Sequence, residues 1–149
     1  MKLGIDFGTC YSSASLLLDG VLRPVKEPLR PLESCFPSTV CLTKQGKLVI
    51  GQAAENQRRI DPKRYCREFK RNLGEDFPYF LGELRMLPEE LIGTVLAGLK
   101  QEAETMVNSS IKEAVITVPA TYLSHKRRLM EEADLYHALS ITDNKSRLG

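Results

Sequence analysis

A short polar segment between two apolar runs near the amino terminus constrains the fold more than any other part of the sequence. The runs at 2–5 and 13–18 have the length and composition of β-strands. The few residues between them have to reverse the chain, and Gly8 provides the backbone freedom that a tight reversal needs. The sequence therefore predicts an antiparallel hairpin at the start of the chain.

The turn of this hairpin carries groups that suit a phosphate ligand. A tight reversal directs several backbone N–H groups into one concavity, which fits phosphate oxygens. Thr9 and Ser12 add hydroxyl donors, and Asp6 is placed to hold a Mg²⁺ ion through its water molecules. An ordinary hairpin with polar turn residues accounts for the same letters, because D-x-G-T is short and glycine turns are common.

Five segments in one order resemble the DnaK-type heat-shock chaperones, a family of the actin and sugar-kinase ATPase superfamily. The hairpin is similar to the family's first phosphate motif, I-D-x-G-T-T-x-S. Further matches follow in the family's order: FPSTV at 36–40, IGQAA at 50–54, FKRNLG at 69–74 and AVITVPA at 114–120. Short motifs that match by chance rarely keep order and spacing. The likeness extends over roughly residues 1 to 133.

The resemblance implies an α/β fold, the first lobe of an actin-like (ribonuclease H-like) ATPase, with a mixed sheet, flanking helices and a small inserted outer subdomain. The core subdomain would take about residues 1–36 and 88–149, and the outer subdomain about residues 37–87. The implied function is ATP binding in a chaperone that assists protein folding, with ATP or ADP and Mg²⁺ as cofactors. Nucleotide, unfolded client peptides and co-chaperones are the implied partners.

The resemblance also implies roles for individual residues. The nucleotide-binding residues would be those of the turn, Gly8, Thr9, Cys10 and Tyr11. Asp6, Thr9 and Lys70 would form the catalytic set, with Asp6 organising Mg²⁺ through water and Lys70 assisting hydrolysis at the terminal phosphate. Pro119 and Arg127 match a pair that relays the nucleotide state to the substrate-binding domain.

The same residues have local explanations that need no ligand. Lys70 fits a solvated basic face shared with Arg58, Arg59, Lys63, Arg64, Arg67 and Arg71. A proline at position 119 is explained if it only ends a strand, and Arg127 is explained if it is only one of three exposed cations. A nucleic-acid interface at the basic cluster is disfavoured, because the aromatic residues near it are expected to face the core.

The chain departs from the family pattern in ways that bear on activity. Cys10 stands where the family has a second threonine, so a hydroxyl donor is lost while the backbone N–H remains. Arg147 falls where the family has a catalytic glutamate. The second phosphate loop, the adenosine-binding motif and the peptide-binding domain have no counterpart in the 149 residues. We therefore expect this chain alone to be inactive, and uncovered cleft surface to cause weak self-association.

Two other functions stay open from the sequence alone. A non-catalytic interaction module would keep the fold in order to bind a partner. A sugar-kinase-like ATPase fragment would share the superfamily, although F-K-R-x-L-G and T-V-P-A favour the chaperone branch.

Composition argues against several classes of protein. The formal net charge of +2 favours neither nucleic acid nor a membrane surface as a partner. The four cysteines lack C-x-x-C spacing and paired histidines, which is typical of reduced cysteines in a cytoplasmic protein rather than of a zinc or redox site. Neither a secretory leader nor an apolar segment of spanning length is present, and we expect a cytoplasmic location.

Turn signals and apolar periodicity predict the remaining elements. Pro88 suits a first helical position, and the residues after it place apolar side chains on one face. We expect a third strand at 21–25, a hairpin from 38–42 and 48–50, helices near 52–59 and 62–71, a compact loop at 74–87, a core helix at 88–107, a strand at 113–118, a helix capped by Ser124 and a loose tail at 142–149.

Overall fold

A mixed sheet and one long helix form the centre of the protein. The computed structural model describes residues 1–117, Arg128 and the backbone of 140–141. The elements in these residues are β1 (Lys2–Phe7), β2 (Tyr11–Leu18), β3 (Val21–Pro24), β4 (Cys35–Pro37), β5 (Thr39–Leu42), β6 (Leu48–Ile50), α1 (Gly51–Glu55), β7 (Tyr65–Arg67), β8 (Tyr79–Leu81), β9 (Leu84–Met86), α2 (Pro88–Val107), β10 (Glu113–Thr117) and β11 (Ser140–Ile141). This is the mixed α/β architecture expected of an actin-like ATPase lobe.

The central sheet combines an antiparallel meander with parallel strands. Its order is β11-β10-β1-β2-β3, and β4 pairs with the first half of β2. The predicted meander of β1, β2 and β3 is confirmed. β10 runs parallel to β1, with Asp6 opposite Thr117. The carboxyl ends of β1 and β10 therefore meet at one edge of the sheet, beside the turn that joins β1 to β2.

One face of the sheet is buried against α2. Leu3, Ile5 and Phe7 of β1 alternate with exposed or half-buried neighbours, and each is at most 2% exposed. The fully buried side chains of α2 belong to the same hydrophobic core and are Leu91, Ile92, Val95, Leu96, Leu99 and Ala103. Burying one such aliphatic side chain is worth about 1.5–3 kcal/mol, so this core contributes strongly to the stability of the lobe.

The predicted helix at 88–107 has the predicted bounds. Its first turn is closed by the Glu90 carboxylate, which accepts a hydrogen bond from the N–H of Leu87 at 2.9 Å. At the other end, the Glu104 carboxylate accepts a hydrogen bond from the N–H of Ile111 at 2.8 Å. These two side chains fix where the chain enters α2 and where it leaves for β10.

A second, three-stranded sheet of order β6-β5-β7, called the outer sheet below, adjoins the first. The hairpin of β5 and β6 is confirmed, and the helix expected at 52–59 is shortened to α1. The helix expected at 62–71 is wrong, because β7 lies between two short 3-10 turns there and pairs with β5. Glu68 has a φ of +59°, which no α-helix accommodates, and Cys66 is buried in the sheet, where burial raises the pKa of its thiol to about 12.

The segment 74–87 is also more regular than the compact loop expected from its prolines and glycines. It contains the antiparallel hairpin of β8 and β9, which reverses at Gly82 with a φ of +64°. Whether residues 37–87 form a separate outer subdomain remains a prediction.

A buried carboxylate fixes the irregular segment between β3 and β4. Glu27 is 2% exposed, and its two oxygens accept hydrogen bonds from the N–H groups of Leu29 at 3.0 Å and Gln52 at 3.1 Å. Gly51, which precedes Gln52, has a φ of +67°, and a Cβ on it would lie 2.5 Å from Oε2 of Glu27. Glycine is therefore required at position 51, and Glu27 ties the segment to the start of α1.

Replacing Glu27 by glutamine is expected to lower the free energy of unfolding by about 1–3 kcal/mol, because one of the two backbone N–H donors would face the amide NH2 group and lose its acceptor. Glu33→Gln is the matched control, because its ion pair with Arg30 is half exposed and is worth at most about 1 kcal/mol. Urea unfolding followed by circular dichroism measures both values. Equal losses in the two variants would contradict the structural role of Glu27.

Candidate functional site

The turn between β1 and β2 approaches itself so closely that only glycine fits at its start. A Cβ built on Gly8 would lie 2.3 Å from the carbonyl oxygen of Tyr11, far inside van der Waals contact. After Gly8, the Thr9 side chain is half-buried and the Cys10 thiol is exposed. Tyr11 is 61% exposed. The turn is thus a tight, accessible loop at the carboxyl end of β1.

Ser12 does not offer its hydroxyl to a ligand, and that expectation is wrong. Its side chain is 2% exposed, and its Oγ lies 2.7 Å from the Oγ of Ser38. The hydroxyl of Ser38 donates to the carbonyl oxygen of Gly8 at 2.8 Å. Ser38 lies in the FPSTV segment, but no local signal in the sequence indicated that it bonds the turn from 30 positions away.

Asp6 lies at the sheet edge where β1 and β10 end. Its carboxylate is exposed, and Oδ1 accepts a hydrogen bond from the hydroxyl of Thr117 at 2.9 Å. No group of three or more His, Cys, Asp or Glu side chains that could hold a metal occurs among the residues that the structure describes. A single exposed carboxylate suits a Mg²⁺ ion that keeps most of its waters.

Lys70 reaches the same edge from the outer sheet. It follows the buried Phe69 in the 3-10 turn Phe69–Asn72, and its Nζ donates a hydrogen bond to the carbonyl oxygen of Phe7. The Nζ also lies 5.6 Å from the centroid of the Phe7 ring, while Phe69 packs against that ring with centroids 6.5 Å apart. Lys70 is therefore held against the end of β1 rather than on a solvated basic face.

Two opposing effects set the charge of Lys70. Burial lowers the pKa of its ammonium below the ordinary lysine value, and the negative charge of Asp6 partly offsets this by raising it. The structure thus brings Asp6, Lys70 and the turn from Gly8 to Tyr11 together at one edge. A cation and a hydrated metal ion placed there would both face a polyphosphate bound at the turn.

A cavity of about 220 Å³ opens beside the turn. Its lining includes Thr9, Cys10 and Tyr11 of the turn. Arg58, Arg67 and Tyr65 also line it, and the phenol of Tyr65 donates to the Glu55 carboxylate at 2.5 Å. Pro119, Arg127, Arg147, the helix expected after Ser124 and the tail 142–149 lie outside the described residues.

Comparison with known proteins assigns the chain to a family. A sequence model of the family described as Hsp70 protein matches residues 2–81 and 78–142. The chain belongs to the Hsp70 family. The resemblance to the first lobe of a DnaK-type protein, stated from five short motifs, is therefore confirmed over nearly the whole chain, and with it the actin-like fold class.

Individual relatives agree with the family assignment. The chain is 29% identical over 141 residues to the chaperone protein DnaK of Nitrosopumilus maritimus, covering 93% of this chain and 22% of the relative. It is 30% identical to the DnaK of Picrophilus torridus and 31% identical to that of Endomicrobium trichonymphae, covering 93% of this chain and 23% of each relative. The chain thus spans less than a quarter of the length of these relatives. Among its described helices, none is long and apolar enough to cross a bilayer.

The Lys70 ammonium is expected to titrate below the ordinary lysine range, and Asp6→Asn is expected to lower its pKa further by removing the charge that raises it. Because the unfolded chain keeps this proton to higher pH, the group's contribution to stability increases with pH between the folded and unfolded pKa values. NMR titration of the lysine side chains measures the shift. Glu113→Gln, at the opposite end of β10, is the control. If this variant lowered the Lys70 pKa as much as Asp6→Asn does, a specific interaction between Lys70 and Asp6 would be contradicted.

Proposed function

We propose that this chain is the ATP-binding lobe of a DnaK-type molecular chaperone and contributes one wall of the nucleotide cleft. The observation that supports this most is the convergence of Asp6, Lys70 and the Gly8–Tyr11 turn at the carboxyl end of β1. Membership of the Hsp70 family also supports the proposal, because the same residues match the family's phosphate motifs. An interaction module without nucleotide explains the fold but not this convergence.

Each side chain has a distinct part in the proposed site. The amides of the turn and the Thr9 hydroxyl donate hydrogen bonds to phosphate oxygens. Asp6 orients the waters of a Mg²⁺ ion, which neutralises phosphate charge when it is bound. Lys70, fixed by the Phe7 carbonyl, presents a cation to the terminal phosphate and stabilises negative charge there during hydrolysis.

The partial burial of Lys70 suits an anionic ligand. A desolvated ammonium is unfavourable in the free protein, and a bound phosphate would relieve that by supplying opposite charge at short range. Nucleotide binding should therefore return the pKa of Lys70 towards higher values. Client peptides, co-chaperones, a cytoplasmic location and the relay through Pro119 and Arg127 belong to the same proposal for the longer protein.

Residues 1–149 alone are expected to bind ATP weakly and to release phosphate no faster than background, because the opposite wall of the cleft is needed for the adenosine and for the attacking water. Phosphate release by the purified chain beside a Lys70→Ala control measures this. Steady turnover that disappears in Lys70→Ala would contradict the incompleteness of the lobe while supporting the role of Lys70.

In a protein that carries both lobes, the same assay should respond to single substitutions. Lys70→Ala and Asp6→Asn are each expected to lower the turnover on the order of a hundredfold or more. Cys10→Thr is the conservative counterpart and should be neutral or mildly favourable, because it restores a hydroxyl while keeping the backbone amide.

The weak self-association expected from uncovered cleft surface stays a prediction, and we propose the β3 edge of the sheet as a second surface for it. Leu17 and Leu22 lie opposite each other across β2 and β3 and are 43% and 68% exposed. Val21 beside them is 56% exposed, and β3 is the last strand of its sheet. Such an apolar edge favours pairing with a second copy.

Sedimentation equilibrium of residues 1–149 is expected to show a concentration-dependent dimer that Leu22→Lys weakens, since a charge would be placed in the contact. Leu32→Lys is the control, because Leu32 is 97% exposed and lies outside the sheet. A monomer at all concentrations, or equal weakening by both substitutions, would contradict association through β3.

A further inference from the structure

Ser38 makes three hydrogen bonds to the phosphate turn and its flanking strand. Its hydroxyl donates to the Gly8 carbonyl, its backbone N–H donates to the Cys10 carbonyl at 2.9 Å, and its Oγ contacts the Oγ of Ser12. We infer that Ser38 is a positioning residue that sets the direction of the turn amides and so controls phosphate affinity. This inference rests on the proposed nucleotide function.

The direction of the hydroxyl hydrogens follows from counting donors. A carbonyl oxygen only accepts, so the single hydroxyl hydrogen of Ser38 is committed to Gly8. The bond of 2.7 Å between the two serines must then be donated by Ser12. Both hydroxyls are almost completely buried, with Ser12 at 2% and Ser38 at 1% exposure. No competing water is expected at such a site, and the chain from Ser12 through Ser38 to Gly8 has one orientation.

These bonds determine where the amides of the turn point. In a trans peptide the C=O of one residue and the N–H of the next are directed oppositely. Because the Gly8 carbonyl is drawn towards Ser38, the N–H of Thr9 points away from it. The Cys10 carbonyl is drawn to the Ser38 N–H in the same way, which directs the N–H of Tyr11 to the other side. Ser38 thus holds the carbonyl oxygens of the turn away from an incoming anion.

The support for Ser38 is rigid. It lies between β4, which pairs with β2, and β5, which is central in the outer sheet. The next residue, Thr39, is 3% exposed and donates its hydroxyl to the carbonyl oxygen of Gly51 at 3.0 Å. Thr39, the first residue of β5, therefore makes the same kind of buried bond from the adjacent position but directs it away from the turn, which makes it a matched control.

The test compares Ser38→Ala, Ser38→Thr and Thr39→Val in residues 1–149, using ¹⁵N NMR titrations with MgATP and urea unfolding. Thr39→Val loses one buried hydroxyl bond and Ser38→Ala loses two, so both variants are expected to be less stable, Ser38→Ala by the larger amount. Only Ser38→Ala should shift the amide resonances of Thr9 and Tyr11 in the free protein. It should also weaken MgATP binding on the order of tenfold, and Ser38→Thr should recover most of the affinity.

The outcomes separate this inference from the proposed function. If the unmodified chain binds MgATP and Ser38→Ala binds it equally well, Ser38 is not a positioning residue while the nucleotide site stands. Equal weakening by Thr39→Val would reduce the effect to general stability and overturn the inference in the same way. Because this lobe alone is expected to bind ATP weakly, the titration extends to millimolar MgATP. If the turn amides of the unmodified chain show no response even there, the nucleotide site and the inference fall together.

Discussion

Phe7 is the residue on which both the core and the candidate site depend. Its ring is 1% exposed within the hydrophobic core, and it also packs against the Phe69 ring and the Lys70 ammonium of the 3-10 turn that follows β7. Its carbonyl oxygen accepts a hydrogen bond from the Lys70 ammonium. The same packing that stabilises the lobe therefore determines where the charged group of the site lies, and the two properties cannot vary independently.

The outer sheet reaches the turn by polar contacts as well. Ser38 and Lys70 come from the two ends of this region, and both bond carbonyl oxygens at the junction of β1 with the turn. Glu27 fastens the start of α1 beside them. Carbonyl groups are thereby neutralised from one side, while donors face the other. On the proposed function, this separation would give the turn an anion-binding surface without any dense cluster of cations.

The parts of the fold that sequence reasoning predicted are those with local signals. The meander follows from alternation and turn residues, and the bounds of α2 follow from Pro88 and the apolar periodicity. The helix at 62–71 failed because pairing of β7 with β5 overrides a weak local helical tendency, as the φ of Glu68 shows. The expectation that the Ser12 hydroxyl would be free for a ligand was wrong because the hydroxyl bonds Ser38, which is 26 positions away. No local sequence pattern indicates such a bond.

The site was predictable only through resemblance. From chemistry alone the D-x-G-T turn and an ordinary hairpin were equally good descriptions, and Lys70 looked like one cation among several. Two properties distinguish Lys70, and both exist only in the folded chain. Its ammonium packs against the Phe7 ring, and its pKa is lowered by burial and raised by the charge of Asp6.

That partly desolvated ammonium also constrains how this lineage can evolve. Holding the charge partly out of water costs free energy in the free protein, which Asp6 and the Phe7 carbonyl offset in part and which a bound anion would offset further. A descendant that ceased to bind phosphate would gain stability by exchanging lysine for an apolar side chain of similar length. Under the proposed function, stability and ligand binding therefore place opposite demands on position 70, and a lysine is retained there only while the demand of ligand binding is the stronger.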